Sequence, residues 1–188
     1  MKLLYLHGFR SSPDSPKAVA IAQYCAQHGL IAPAIPQLPI SPKDSIKMCE
    51  AIIQAQGIDT ICGSSLGGFY ATYLAEKYHL RCALINPVIT PWNELKQAEL
   101  QTRYNVEEIT PQDAIRYLAE LMHYEVTLPT DLARYFLLVA MGDEVLNPYQ
   151  MREHYKGAPR SIVDAGDHAL NDFGGQFEVM MDFLRRTN

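Results

Sequence analysis

Short apolar runs alternate with stretches of helically spaced apolar residues along almost the whole chain. Leu3–His7 is a continuous apolar run that suits a strand buried on both faces. Turn formers follow from Arg10, and Ser15-Pro16 reads as a helix cap with proline at the first helical position, opening a helix to about Gln27. Leu30–Ile35 reads as a second strand, Pro36–Pro39 as a stiff extended exit, and Pro42 onward as a helix with Ile46, Ile52 and Ile53 on its apolar side. Asp59–Gly63 is a strand, Leu66–Tyr78 a helix and Arg81–Ile85 a strand ending at Asn86-Pro87. The pattern then becomes polar and helical through Pro91–Leu100 and Ala114–His123, the latter capped by Thr110. Tyr135–Met141 is the most hydrophobic strand. Pro148–Tyr155, Ser161–Asp164 and Phe173–Arg185 complete the chain as helix, strand and helix.

Strands alternating with helices require a parallel sheet covered on both faces, because each crossover is right-handed and takes about a dozen residues or more. The expected fold is therefore α/β, a compact and mostly parallel sheet of about six strands flanked by helices, with a small helical cap. Residues 1–188 form one domain, and 88–134 is too long for a simple crossover, so it is read as a crossover plus cap. A net charge of −5 without a basic run argues against nucleic acid or a membrane surface as partner and suits a small uncharged substrate. Cys25, Cys49, Cys62 and Cys82 are scattered in apolar contexts, which predicts reduced, buried thiols in a cytoplasmic protein. The apolar start is cut short at His7-Gly8, so it is read as a strand and not as a leader. No cluster has metal-ligand spacing and no loop matches a nucleotide fingerprint, so neither metal nor cofactor is expected.

In parallel sheets ligands gather at the carboxyl ends of the strands, and here His7, Ser64-Ser65, Asn86, Asp143 and His168 all follow strands. Gly63-Ser64-Ser65-Leu66-Gly67 fits G-x-S-x-G, the sharp strand-to-helix turn that exposes a serine hydroxyl. Ser65 is preferred to Ser64 because only Ser65 has glycine two residues away on each side. A serine needs a base and a third group that orients the base. His168, in the loop after the last strand, is preferred to His7 as base. Asp143, after the strongest strand, is preferred to Glu144, Asp164 and Asp167 as the orienting carboxylate, giving the order Ser, Asp, His. The backbone N–H groups of Leu66 and Phe9 are the expected oxyanion donors. His7, Trp92 and Tyr104 are candidates for a substrate pocket, although lone aromatics in helical segments are more often simply packed.

The chain resembles the α/β-hydrolases and, more narrowly, the small bacterial YqiA-like esterases, an uncharacterised protein family. The pieces that carry the resemblance are LLYLHGF followed by SSP and KA, IPQLP at Ile35–Pro39, GSSLGG followed by a helix containing YAT, Asn86-Pro87, GDEVL at Gly142–Leu146 and GDHA at Gly166–Ala169. It implies a compact hydrolase core lacking the first two strands of larger members, with Ser65, Asp143 and His168 as its triad. The combined expectation is a serine esterase for short to medium acyl groups. A thioesterase is the alternative within the enzymes, and a non-catalytic small-molecule binding module is the alternative outside them.

Overall fold

The computed structural model describes residues 1–92, 110–170 and 175–186. Its five strands are β1 (Leu3–Leu6), β2 (Thr60–Ser64), β3 (Arg81–Ile85), β4 (Tyr135–Ala140) and β5 (Arg160–Val163). They pair in parallel in the order β1-β2-β3-β4-β5, so that neighbours in the sheet are also neighbours in the chain. The helices are α1 (Pro16–Gln27), α2 (Pro42–Gln56), α3 (Leu66–Tyr78), α4 (Pro111–His123), α5 (Pro148–His154) and α6 (Gln176–Arg185).

β1, β2 and β4 are buried at every position, as strands covered on both faces must be, while the edge strand β5 is only partly covered, with Arg160 exposed. Alternation divides their side chains between two cores. Leu4, Leu6, Ile61, Leu84, Leu137 and Val139 face α2, α3 and α5, with Leu121 and Tyr124 of the α4 end packed into the same layer. Leu3, Tyr5, Cys62, Ala83, Ile85 and Leu138 face the other way, against Ile21 and Cys25 of α1 and Met180, Met181 and Leu184 of α6. Residues of α4 also fasten to the start of α2, where Glu120 Oε2 accepts from Ser41 Oγ at 3.1 Å and from Lys43 N at 3.0 Å. Proline opens α1, α2, α4 and α5, where a missing N–H costs nothing. Ser15 stands at the cap position of α1 as predicted, but its side chain makes no capping bond.

One reading of the sequence changes. Leu30–Ile35 is not a sixth strand: only Ala34 pairs with the outer edge of β1, donating to Leu3 O at 2.8 Å and accepting from Tyr5 N at 2.9 Å. Pro33 and Pro36 flank it without N–H groups to extend the ladder, so the segment shields the edge with a single bridge. The last helix is described over Gln176–Arg185, and the reading of its start at Phe173 falls outside the described residues. The reading of a helix over Pro91–Leu100 falls, beyond Trp92, outside the described residues, and so does Tyr104. Among the described residues no helix is long and apolar enough to cross a membrane.

Candidate active site

The carboxyl end of β2 turns into α3 through Ser65, whose backbone sits at φ 55°, ψ −123°. Strand and helix approach so closely here that a Cβ on Gly63 would overlap the Gly67 carbonyl, and one on Gly67 would overlap the Leu6 carbonyl. The end of β3 holds this turn. Ser65 N donates to Ile85 O at 3.1 Å, while Ser65 O accepts from Gly68 N at 2.9 Å and Val88 N at 3.1 Å.

Asp143 lies just past the end of β4, and its side chain is fully buried. Its Oδ1 accepts from Val145 N at 2.9 Å and Leu146 N at 2.8 Å, which fixes the carboxylate plane. Its Oδ2 is 2.8 Å from His168 Nδ1, and His168 Nε2 is 3.0 Å from Ser65 Oγ. The three residues preferred from the sequence thus form one hydrogen-bonded line, with the imidazole Nδ1–H donating to the carboxylate and Nε2 accepting from the serine hydroxyl.

The rivals are engaged elsewhere. Ser64 is buried in the core beneath the turn. Asp167 accepts from Leu170 N at 2.8 Å and so shapes its own loop, Glu144 accepts from His168 N at 3.0 Å, and Asp164 is exposed. His7 is buried, with Nε2 accepting from Leu38 N at 3.1 Å and Nδ1–H donating to Gly8 O at 2.9 Å. That ring anchors the IPQLP segment to the end of β1.

Beside Ser65 opens a cavity of about 240 Å³ lined by His7, Gly8, Phe9, Arg10, Ser11, Gln37, Leu38, Pro39, Ile40, Leu66 and Tyr70. Gly8 forms the wall nearest the serine, for a Cβ built on it would lie 3.2 Å from Ser65 Cβ and 3.6 Å from Ser65 Oγ. Leu66 and Phe9 both face this cavity, and the Leu66 N–H is the first of α3, with no acceptor inside its own helix. Of the pocket candidates read from the sequence, His7 lines the cavity. Trp92 does not: it packs edge-on against Phe69 of α3 at 6.4 Å, partly buried against the core. Sequence reasoning passed over Arg10, Gln37, Leu38 and Tyr70; the proline-rich segment was the signal available, since a stiff extended run beside a strand end makes a ready cavity wall. It also gave no role to Asn86 or Lys17. Lys17 reaches Ala169 O. Burial pulls its ammonium below the ordinary lysine range, against the opposing pull of Asp167 and Asp143.

The parallel sheet, the helices on both of its faces and the serine at the β2–α3 turn make this the α/β-hydrolase fold. Solved structures share it across nearly the whole chain. Alpha/beta hydrolase domain-containing protein 10 from mouse superposes with a TM-score of 0.68 at 17% identity, over 96% of this chain and 87% of that one. Est1E from Butyrivibrio proteoclasticus, in a structure with ferulic acid bound, gives 0.68 at 15% identity over 98% and 87%. One from a study of LipS and LipT, described as metagenome-derived lipolytic enzymes, gives 0.67 at 16% identity over 99% and 94%. Within this fold, residues 2–185 match the Uncharacterised protein family (UPF0227), and the chain belongs to that family.

Proposed function

We propose that the protein is a serine hydrolase of carboxylic esters, and the observation that carries the reading is the unbroken Ser65–His168–Asp143 line at 3.0 and 2.8 Å. Ser65 Oγ attacks the ester carbonyl as His168 Nε2 takes its proton, and Asp143 stabilises the imidazolium that forms. In this reading the N–H groups of Leu66, at a helix start, and Phe9, in the loop after β1, receive the tetrahedral oxyanion. His168 returns the proton to the departing alcohol oxygen, leaving an acyl group on Ser65. Water, deprotonated by the same imidazole, then releases the acid and restores the serine. The cavity of about 240 Å³ is smaller than the roughly 300–1,000 Å³ of drug-sized sites, which supports a short to medium acyl group. Solved structures of the same fold, one from a study of lipolytic enzymes and one with ferulic acid bound, lend the ester class further support.

Ser65→Ala tests the reading. The variant is expected to lose turnover of p-nitrophenyl butyrate by about 10⁶-fold and to lose covalent labelling by a fluorophosphonate, with its fold intact. Retention of labelling in that variant removes Ser65 from the chemistry. Wild-type protein that is folded yet neither labelled nor active points instead to a binding module. A panel of matched oxygen esters and thioesters ranks the two leaving groups by kcat/KM.

A further inference from the structure

The loop that carries His168 has no ladder of its own among the described residues, and it contains Gly166 at φ 129° and Leu170 at φ 42°. Side chains from distant parts of the chain nevertheless grip three consecutive carbonyls of it. Asn86 Nδ2 donates to Asp167 O at 3.3 Å and to His168 O at 3.1 Å, and Lys17 Nζ donates to Ala169 O. On the other side of the backbone, Glu144 Oε2 accepts from His168 N.

Asn86 does more than hold the loop. It is wholly buried, and its Oδ1 accepts from Ala140 N at 2.9 Å, at the end of the strand from which Asp143 hangs. Its own N–H donates to Leu138 O at 3.0 Å, and the residue before it, Ile85, is the acceptor for Ser65 N. One amide is therefore tied to all three branches of the site. The residue type fits the task, because only an amide side chain offers an acceptor and two donors together. Asparagine is also among the few residues that tolerate the φ of 42° found here.

We propose that Asn86 and Lys17 are positioning residues that set the His168 imidazole between Asp143 and Ser65. The inference rests on the hydrolase reading for its kinetic consequences, though the geometry it describes can be read without turnover. Neither side chain contacts the reacting atoms in this arrangement. Displacing a base by about 1 Å costs on the order of 10²-fold in rate, so the bonds act on kcat and leave substrate binding largely alone.

Asn86→Asp is the discriminating change. It keeps the shape, the tolerance for positive φ and the acceptor for Ala140 N–H, but it turns acceptors toward the Asp167 and His168 carbonyls. The expected result is a fall in kcat of about 10²-fold with KM for p-nitrophenyl butyrate nearly unchanged, and loss of the low-field proton resonance of His168 Nδ1–H bonded to Asp143. Lys17→Met should lower kcat by about tenfold, and Lys17→Arg, which keeps a donor for Ala169 O, should restore most of it. An Asn86→Asp protein with the resonance and kcat of the wild type overturns the proposal, as does equality of the Met and Arg variants at position 17. Should Asn86→Asp fail to fold, the Lys17 pair decides. Wild-type protein that shows the resonance but no ester turnover defeats the hydrolase reading, and the resonance in the variants then decides the positioning role alone.

Discussion

At the scale of the residue, Ser65 holds a backbone conformation that side chains rarely adopt. Such positions cost about 1–3 kcal/mol and persist where the surroundings over-determine them. Here the bonds to Ile85, Gly68 and Val88 do so. At an unstrained position, glycine is less stable than alanine by roughly 0.5–1 kcal/mol. The order is expected to reverse at residue 65. Ser65→Gly and Ser65→Ala both remove the hydroxyl and its bond to His168, so their difference isolates the backbone. Ser65→Gly should be the more stable by about 1 kcal/mol, raising Tm by roughly 3 °C over Ser65→Ala; thermal melts giving alanine as the more stable would show the turn to be relaxed. Ser65 was readable from the sequence because the requirement that sets its conformation, glycine on both sides, is local. For Asn86 only the place at a strand end was readable and not the role, since the role comes from partners 81, 82 and 54 residues away, and no local pattern marks that.

At the scale of the element, Glu76 in the last turn of α3 ties that helix to the chain entering β4. It accepts from Thr130 N at 3.1 Å, Thr130 Oγ at 2.6 Å, Arg134 Nη2 at 3.0 Å and Tyr135 OH at 2.5 Å. Burial pushes its carboxyl up, but the hydrogen bonds of Thr130 and Tyr135 and the Arg134 charge outweigh burial and leave it below the ordinary value of 4.5. A carboxyl depressed in the folded state contributes stability above its unfolded value and loses that contribution as pH falls through its folded one. Glu76→Gln is therefore expected to cost about 2 kcal/mol at neutral pH and to flatten the loss of Tm on acidification below about pH 4.5. A wild-type and variant pair with parallel Tm curves in acid would remove Glu76 from that role. The strands and helices were largely legible because their apolar periods are carried by adjacent residues. Leu30–Ile35 misled because its composition is that of a strand, while Pro33 and Pro36 limit what its backbone can pair with.

At the scale of the whole molecule, the four cysteines sit in both cores: Cys49 and Cys82 on the α2–α3 side, Cys25 and Cys62 on the α1–α6 side. All are free and buried, and burial pushes their thiols up, that of Cys49 to about 12. The native protein should resist an aromatic disulfide reagent, and all four thiols should appear together in denaturant, with the same midpoint as loss of secondary structure. A thiol titrating rapidly in native buffer would mark a core that opens on its own. The order of the strands has a consequence for synthesis. Because each strand joins the edge left by the one before it, the sheet can grow as the chain leaves the ribosome. His168 emerges 103 residues after Ser65, about 5–20 s later at usual rates of translation. On the proposed mechanism, a nascent chain displays its nucleophile early yet cannot use it, and competence for hydrolysis arrives only when the final strand has been made.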